Sequence, residues 1–180
     1  RWVVKTTLNW LSTDLNELVN LAICTVNLSG QSLGDKEFLS FLLFEFEQSK
    51  IPPEKICFEV TETATIANLG SAIEFIKELK DIGCLFSLDD FGAGVSSFTY
   101  LKNLPVDFLK IDGAFIKEID KDPVDLAMVR SINEIAQVLG KLTIAEFVEN
   151  NEILEVMKDI KVDYVQGYAI GKPELIKSIV

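Results

Sequence analysis

A chain of 180 residues, 48% hydrophobic and 25% charged, carries enough apolar material for one core and falls in the size range of one domain. Its net charge of −11 without a basic stripe excludes a nucleic acid polymer or an anionic membrane as partner, because such surfaces recruit Lys and Arg to release counterions. No stretch reaches the roughly 18 uncharged apolar residues of a membrane span and RWVVKTT lacks the order of a signal peptide, so no membrane insertion and a cytoplasmic location are expected.

The apolar spacing predicts a first helix over Arg1 to Asn20, then a strand AICTVN ending at Asn27. Asp35 is placed to cap a helix through FLSFLLFEFEQ that stops at Ile51-Pro52-Pro53. The strand ICFEVTE carries Glu59 and Glu62, and LGSAIEFIKELKDIG reads as an amphipathic helix closed by Gly83. LFSLDD ends in Asp89 and Asp90 and runs through the loop FGAGVSS into a short helix near Pro105. DFLKID brings Lys110, and Asp122-Pro123 opens a long helix ended by Gly140. TIAEFVE carries Glu146 and Glu149, followed by the helix NNEILEVMKDI, the strand DYVQ to Gln166 and a last helix from Pro173.

Six strand-length runs separated by helical spacing indicate an α/β fold with parallel strands, and every run ends in a polar group. In barrels and open α/β sheets the carboxyl ends of the strands carry the chemistry, so these groups are expected to converge. A (β/α)₈ barrel needs eight strands. With about six, and with Arg1 rather than Met at its start, the chain is expected to be a single domain, 1–180, lacking its N-terminal β/α portion.

The chain has no histidine, which removes the usual serine, cysteine and zinc hydrolase constellations. Cys24, Cys57 and Cys84 lie in apolar runs without metal-binding spacing and read as buried, reduced thiols. Any catalysis must then use carboxylates, lysine and a bound metal. The adjacent pair Asp89-Asp90 is costly to bury unless metal neutralises it, helix capping or solvation being the alternative for Asp90. Oxygen ligands from Asn27, Glu59 and Asp89 suit a hard cation such as Mg²⁺ or Mn²⁺, and two such ions would suit phosphodiester hydrolysis. Lys110 holds either a phosphate or the nucleophilic water, or pairs with Asp112 or Asp89. Glu146 is the candidate general base, against a metal-neutralised or solvated acid. Asp90-Phe91-Gly92 spells a kinase motif whose companion motifs are absent, and Gly92-x-Gly94 is a weak phosphate-loop signal. FLLFEF, residues 41 to 46, reads as core.

VNLSG, FEVTET, LDDFGAGVSSFTYL, LKIDGAF, AEFVE and YVQGY, in this order, resemble the EAL domains, bacterial phosphodiesterases and receptors for cyclic di-GMP, over essentially the whole chain. The resemblance implies a TIM-like (β/α)₈ barrel, here incomplete, that hydrolyses cyclic di-GMP to linear pGpG with two Mg²⁺ or Mn²⁺ ions. By position Asn27, Glu59, Asp89 and Asp90 resemble metal ligands, and Lys110 and Glu146 the pair serving the catalytic water. Glu149 and Gln166 resemble further polar contacts near the metals, and Glu62 the residue that steadies the loop after Asp90. That loop and the next helix are similar to a region through which these domains dimerise, which implies a homodimer. A sensory or GGDEF domain attached in the parent protein is implied as well.

The chain departs from the family at three places. The Glu-Ala-Leu signature is absent and would lie before Arg1, Phe147 stands where the family usually has glycine, and Val95 replaces a common aromatic. Phe147 and the lost signature motivate a second reading, a degenerate receptor that binds cyclic di-GMP without turnover. A third, independent of the resemblance, is an enolase-like barrel with Lys110 as base and Mg²⁺ on the acids.

Overall fold

The computed structural model of the protein describes residues 1–13, 21–92 and 98–174. They divide into two compact units, residues 1–86 and 87–174.

In the first unit, helix α1 (Trp2–Thr13) buries Val4, Leu8 and Leu11, one stripe at helical spacing. The rest of the helix expected to Asn20 lies outside the described residues. Strand β1 (Cys24–Asn27) pairs in parallel with β2 (Ile56–Thr61), Asn27 standing opposite Glu59. Between them runs α2 (Lys36–Gln48), whose first turn is capped by Asp35 Oδ1, accepting from the amides of Glu37 at 2.9 Å and Phe38 at 3.0 Å. The core is aromatic: Phe38 stacks on Phe75, and Phe58 touches both Phe46 and Phe86. Only part of FLLFEF joins it, since Leu42 and Phe46 are buried whereas Phe44 faces outward. After β2 come α3 (Glu62–Ala67), absent from the sequence reading, and α4 (Leu69–Asp81). The chain reverses at Gly83, with φ +108°.

The second unit takes up strand β3 (Leu85–Phe91) from Ser87 onward. After α5 (Phe98–Leu101) it continues with β4 (Phe108–Ile111), α6 (Pro123–Val138), β5 (Leu142–Ala145), α7 (Asn151–Ile160) and β6 (Tyr164–Val165). The pairing β3·β4·β5·β6 is parallel throughout, with Leu88 opposite Leu109, Lys110 opposite Ile144 and Ala145 opposite Val165. Asp122 Oδ1 accepts from the amide of Val124 at 2.7 Å, and Asn150 Oδ1 from that of Ile153 at 2.8 Å, to start α6 and α7. The fully buried Thr143 links three elements, its hydroxyl 2.6 Å from Asn133 Oδ1 of α6 and 3.1 Å from Asp163 Oδ2 before β6. Lys141 is buried too, and its ammonium donates to the carbonyls of Leu104 at 2.7 Å and Val106 at 3.0 Å. Such groups are tolerated inside because each finds a partner. The α/β class read from the sequence is the class observed.

The cysteines correct one expectation. Cys57 and Cys84 are buried, but Cys24, the first residue of β1, is only partly covered although it shares the face of buried Val26. Burial, with the Glu54 carboxylate adding to it, pushes the Cys84 thiol up to about 12. Since only the thiolate is nucleophilic, a disulfide reagent at mildly alkaline pH is expected to modify Cys24 first and to spare Cys84 until the protein unfolds. Mass spectrometry of the native protein checks this, and early labelling of Cys84 would contradict it.

Candidate active site

Side chains alternate along a strand, so the register of the second unit determines which polar groups share a face. Lys110 stands opposite Ile144 in that register, and Asp89 and Glu146 fall on the same face by the period of two. The three side chains meet. Lys110 Nζ lies 2.8 Å from Asp89 Oδ1 and 2.8 Å from Glu146 Oε1, with side-chain exposures of 4%, 15% and 13%. Of the two partners expected for Lys110, Asp89 is the observed one. Asp112 is not paired with it, because its Oδ1 instead accepts the amide of Ala114 at 2.6 Å at the head of a short 3₁₀ turn, Gly113–Phe115.

Asp90 joins the cluster through a distortion. The β3·β4 register shifts between Leu88 and Phe91, and Asp90 takes φ +57°, a left-handed conformation uncommon outside glycine. Two adjacent acids, which regular pleating would point apart, thereby bring oxygens to one place: ligand atoms of Asp89, Asp90 and Glu146 lie within 4.8 Å of one another. Partial burial pushes the Asp90 carboxyl above its usual range, the charges of Asp89 and Asp112 add to the shift, and Lys110 opposes it. Burial raises Glu146 as well; the hydrogen bond and charge of Lys110 oppose this, while Asp89 and Asp90 reinforce it.

The Glu146 shift has a sign that stability measurements read. A carboxyl whose folded value is raised stabilises the fold below its unfolded value and loses that contribution as pH rises through the folded one. Without metal, Glu146→Gln is therefore expected to gain stability relative to wild type as pH rises just above the ordinary carboxylate range. Melting curves of both proteins between about pH 4 and 8 check it, and a pH-independent difference would contradict it.

This donor set fits a hard divalent cation. It is all oxygen, it converges, and Asp89 Oδ1 is buried without an aligned hydrogen bond even though the Lys110 ammonium is at ion-pair distance. Ser87 Oγ, fully buried two residues earlier on the same strand, also has no hydrogen-bond partner among the described residues.

In the first unit, Asn27 at the end of β1 and Glu59 within β2, two residues before its end, occupy one rung, and the Leu28 amide continues the ladder by donating to the Glu59 carbonyl at 2.8 Å. Asn27 is exposed, while Glu59 is 6% exposed. Glu62, read at the close of the strand ICFEVTE, is the first residue of α3 and is buried, with Thr61 as the cap before it. Thr61 three residues before Ala64 was the available signal for that helix.

Glu149 and Gln166 line a pocket of about 640 Å³ in the second unit together with Glu146, Phe147, Tyr168 and Lys172. Phe147 holds φ +54°, which gives a physical reason for glycine at this position. Its ring lies against Gly113, where an added Cβ would come within 2.1 Å of it, and Lys117 Nζ sits 4.5 Å from the ring centroid. Sequence reasoning missed this contact with Gly113 and Lys117, and it missed Tyr168. Val95 and Gly94 lie outside the described residues.

Residues 1–173 match the EAL domain family. The cyclic di-GMP phosphodiesterase PdeB of Shewanella oneidensis is 40% identical over 176 residues, covering 98% of this chain and 20% of that protein. The cyclic di-GMP phosphodiesterase PdeA of Borreliella burgdorferi is 42% identical over 154 residues, 86% of this chain and 23% of that protein. The chain thus spans about a fifth of the length of these curated relatives. Among solved structures, the PaMucR phosphodiesterase in complex with c-di-GMP superposes with a TM-score of 0.88 at 28% identity, over 96% of this chain and 70% of that one. These matches favour the EAL reading over the enolase-like alternative. The protein belongs to the EAL domain family, and the six parallel strands of its described residues fit an incomplete (β/α)₈ barrel of that type.

Proposed function

We propose that the intact domain hydrolyses cyclic di-GMP to linear pGpG. The observation that carries this reading is the Lys110 ammonium held between Asp89 and Glu146 beside Asp90, and the phosphodiesterases among the relatives support it. Asp89 and Asp90 are the proposed ligands of a divalent cation, Mg²⁺ or Mn²⁺; Asn27 and Glu59, on their own rung in the first unit, are proposed as metal ligands too, and two ions are proposed in all. A bound cation supplies Lewis acidity, making water nucleophilic near neutral pH and offsetting charge on the phosphate oxygens. Glu146 takes the proton of the attacking water as its oxygen bonds to phosphorus. The bond from phosphorus to the 3′ oxygen breaks, and that oxygen leaves as a hydroxyl on gaining a proton. Burial suits Glu146 to this duty, because a raised carboxyl is a better proton acceptor than an ordinary one. Lys110 orients the water and attracts the phosphate. Glu149 and Gln166 contact substrate from the pocket wall, and Glu62 has a supporting role.

The test is incubation of the full-length protein with cyclic di-GMP and either metal. Formation of pGpG is expected, and a folded protein that yields none with Mg²⁺ or Mn²⁺ overturns the proposal. Phe147, next to Glu146 in the chain and lining the same pocket, favours a second reading, a receptor without turnover. Tight binding of cyclic di-GMP in calorimetry without metal and without hydrolysis would select that reading instead.

A further inference from the structure

The candidate metal centre already contains a cation belonging to the protein. Lys110 is anchored on β4, the strand between the carriers of Asp89 and Glu146, and its ammonium reaches both acids at 2.8 Å. The side chain is 4% exposed, so it has little freedom to swing into solvent. Three ionised carboxylates against one ammonium leave two negative charges, which a single divalent ion cancels. Oxygens that converge within 4.8 Å leave an entering ion close to the ammonium, where like charges repel strongly at low effective dielectric. The ion and the ammonium therefore call on the same acids.

We propose that Lys110 is a resident counter-ion that competes with the divalent cation for Asp89 and Glu146. In the metal-free protein it holds the acids together against their mutual repulsion. Metal entry moves the ammonium off at least one of them, and this exchange keeps the affinity for metal below what the acids alone would give. The inference rests on the metal-centre reading above and adds a role for Lys110 that precedes any encounter with substrate.

Calorimetric titration of the full chain with Mn²⁺, without nucleotide and at fixed pH and ionic strength, tests it on wild type, Lys110→Met and Lys110→Arg. The Met variant is expected to bind Mn²⁺ at least about tenfold more tightly than wild type, and the Arg variant, which keeps the charge, to stay near wild type. The Met variant is also expected to melt lower without metal and to recover most of the difference at saturating Mn²⁺. Equal or weaker binding by the Met variant overturns the inference and leaves the metal centre standing. Absence of Mn²⁺ binding in all three proteins overturns both. If the Met variant is unfolded without metal, folding on addition of Mn²⁺ supports the inference, and failure to fold at saturating Mn²⁺ refutes it.

Discussion

Glu146→Gln is expected to lower turnover of cyclic di-GMP by roughly 10² to 10⁴, the usual contribution of a positioned general base. The substitution keeps the shape of the side chain and removes its capacity to accept a proton from water. It also removes one of the two carboxylates at 2.8 Å from Lys110 Nζ, while Asp89 stays at ion-pair distance from the ammonium. Binding of the nucleotide is expected to survive, because Glu149 and Gln166, not Glu146 alone, line the adjoining pocket. Steady-state rates together with calorimetric affinity separate the two effects. Turnover near that of wild type would remove Glu146 from the role of base, whereas a parallel loss of binding would make it a structural or ligand-holding acid.

The second large effect is expected in stability, at Gly167. The segment after Glu146 is held against the segment after β6 by two backbone hydrogen bonds: the Val148 amide donates to the Gln166 carbonyl at 3.0 Å, and the Ala169 amide to the Val148 carbonyl at 3.0 Å. Gly167 sits inside this exchange, and a Cβ there would lie 2.3 Å from Val148 O and 2.4 Å from Val148 N. Those atoms are backbone, so no side-chain rotation relieves the overlap and the two segments must part. Gly167→Ala is expected to cost about 3 kcal/mol, the upper part of the range for an over-packed interior. Gly171→Ala, with nothing within 4 Å of the added carbon, is the control and is expected to stay within about 0.5 kcal/mol of wild type. Denaturant unfolding of the pair checks this, and equal midpoints would show that the contact is not tight in solution. Because Glu146, Glu149 and Gln166 are borne on these segments, the variant is also expected to weaken nucleotide binding.

Phe147 connects these two effects to a particular substitution. A bulky residue in a left-handed conformation costs about 1 to 3 kcal/mol and persists where its surroundings hold it. Here Gly113 leaves space for the ring and Lys117 covers it. The strain falls one residue after Glu146, which is why the receptor reading attaches to this position.

Much of the architecture is written locally. Asp35, Asp122 and Asn150 begin their helices by accepting hydrogen bonds from amides two or three residues away, an arrangement that adjacent residues encode by themselves. The apolar runs closing on Glu59, Asp89, Lys110, Glu146 and Gln166 likewise announce parallel strands and a reactive end. Helix α3 escaped notice because ETATIA is short and half of it is β-branched, so its helical tendency is weak and the Thr61 cap with its neighbours sustains it. The sequence by itself therefore determined the α/β alternation, the starts of α2, α6 and α7, and the family. Only the tertiary structure decided that Lys110 joins Asp89 and Glu146 rather than Asp112, that Asp90 turns back through a shifted register, and that Phe147 leans on Gly113. Each of those outcomes depends on strand register between residues about 20 to 35 positions apart, and a one-residue slip would send every one of these side chains to the opposite face.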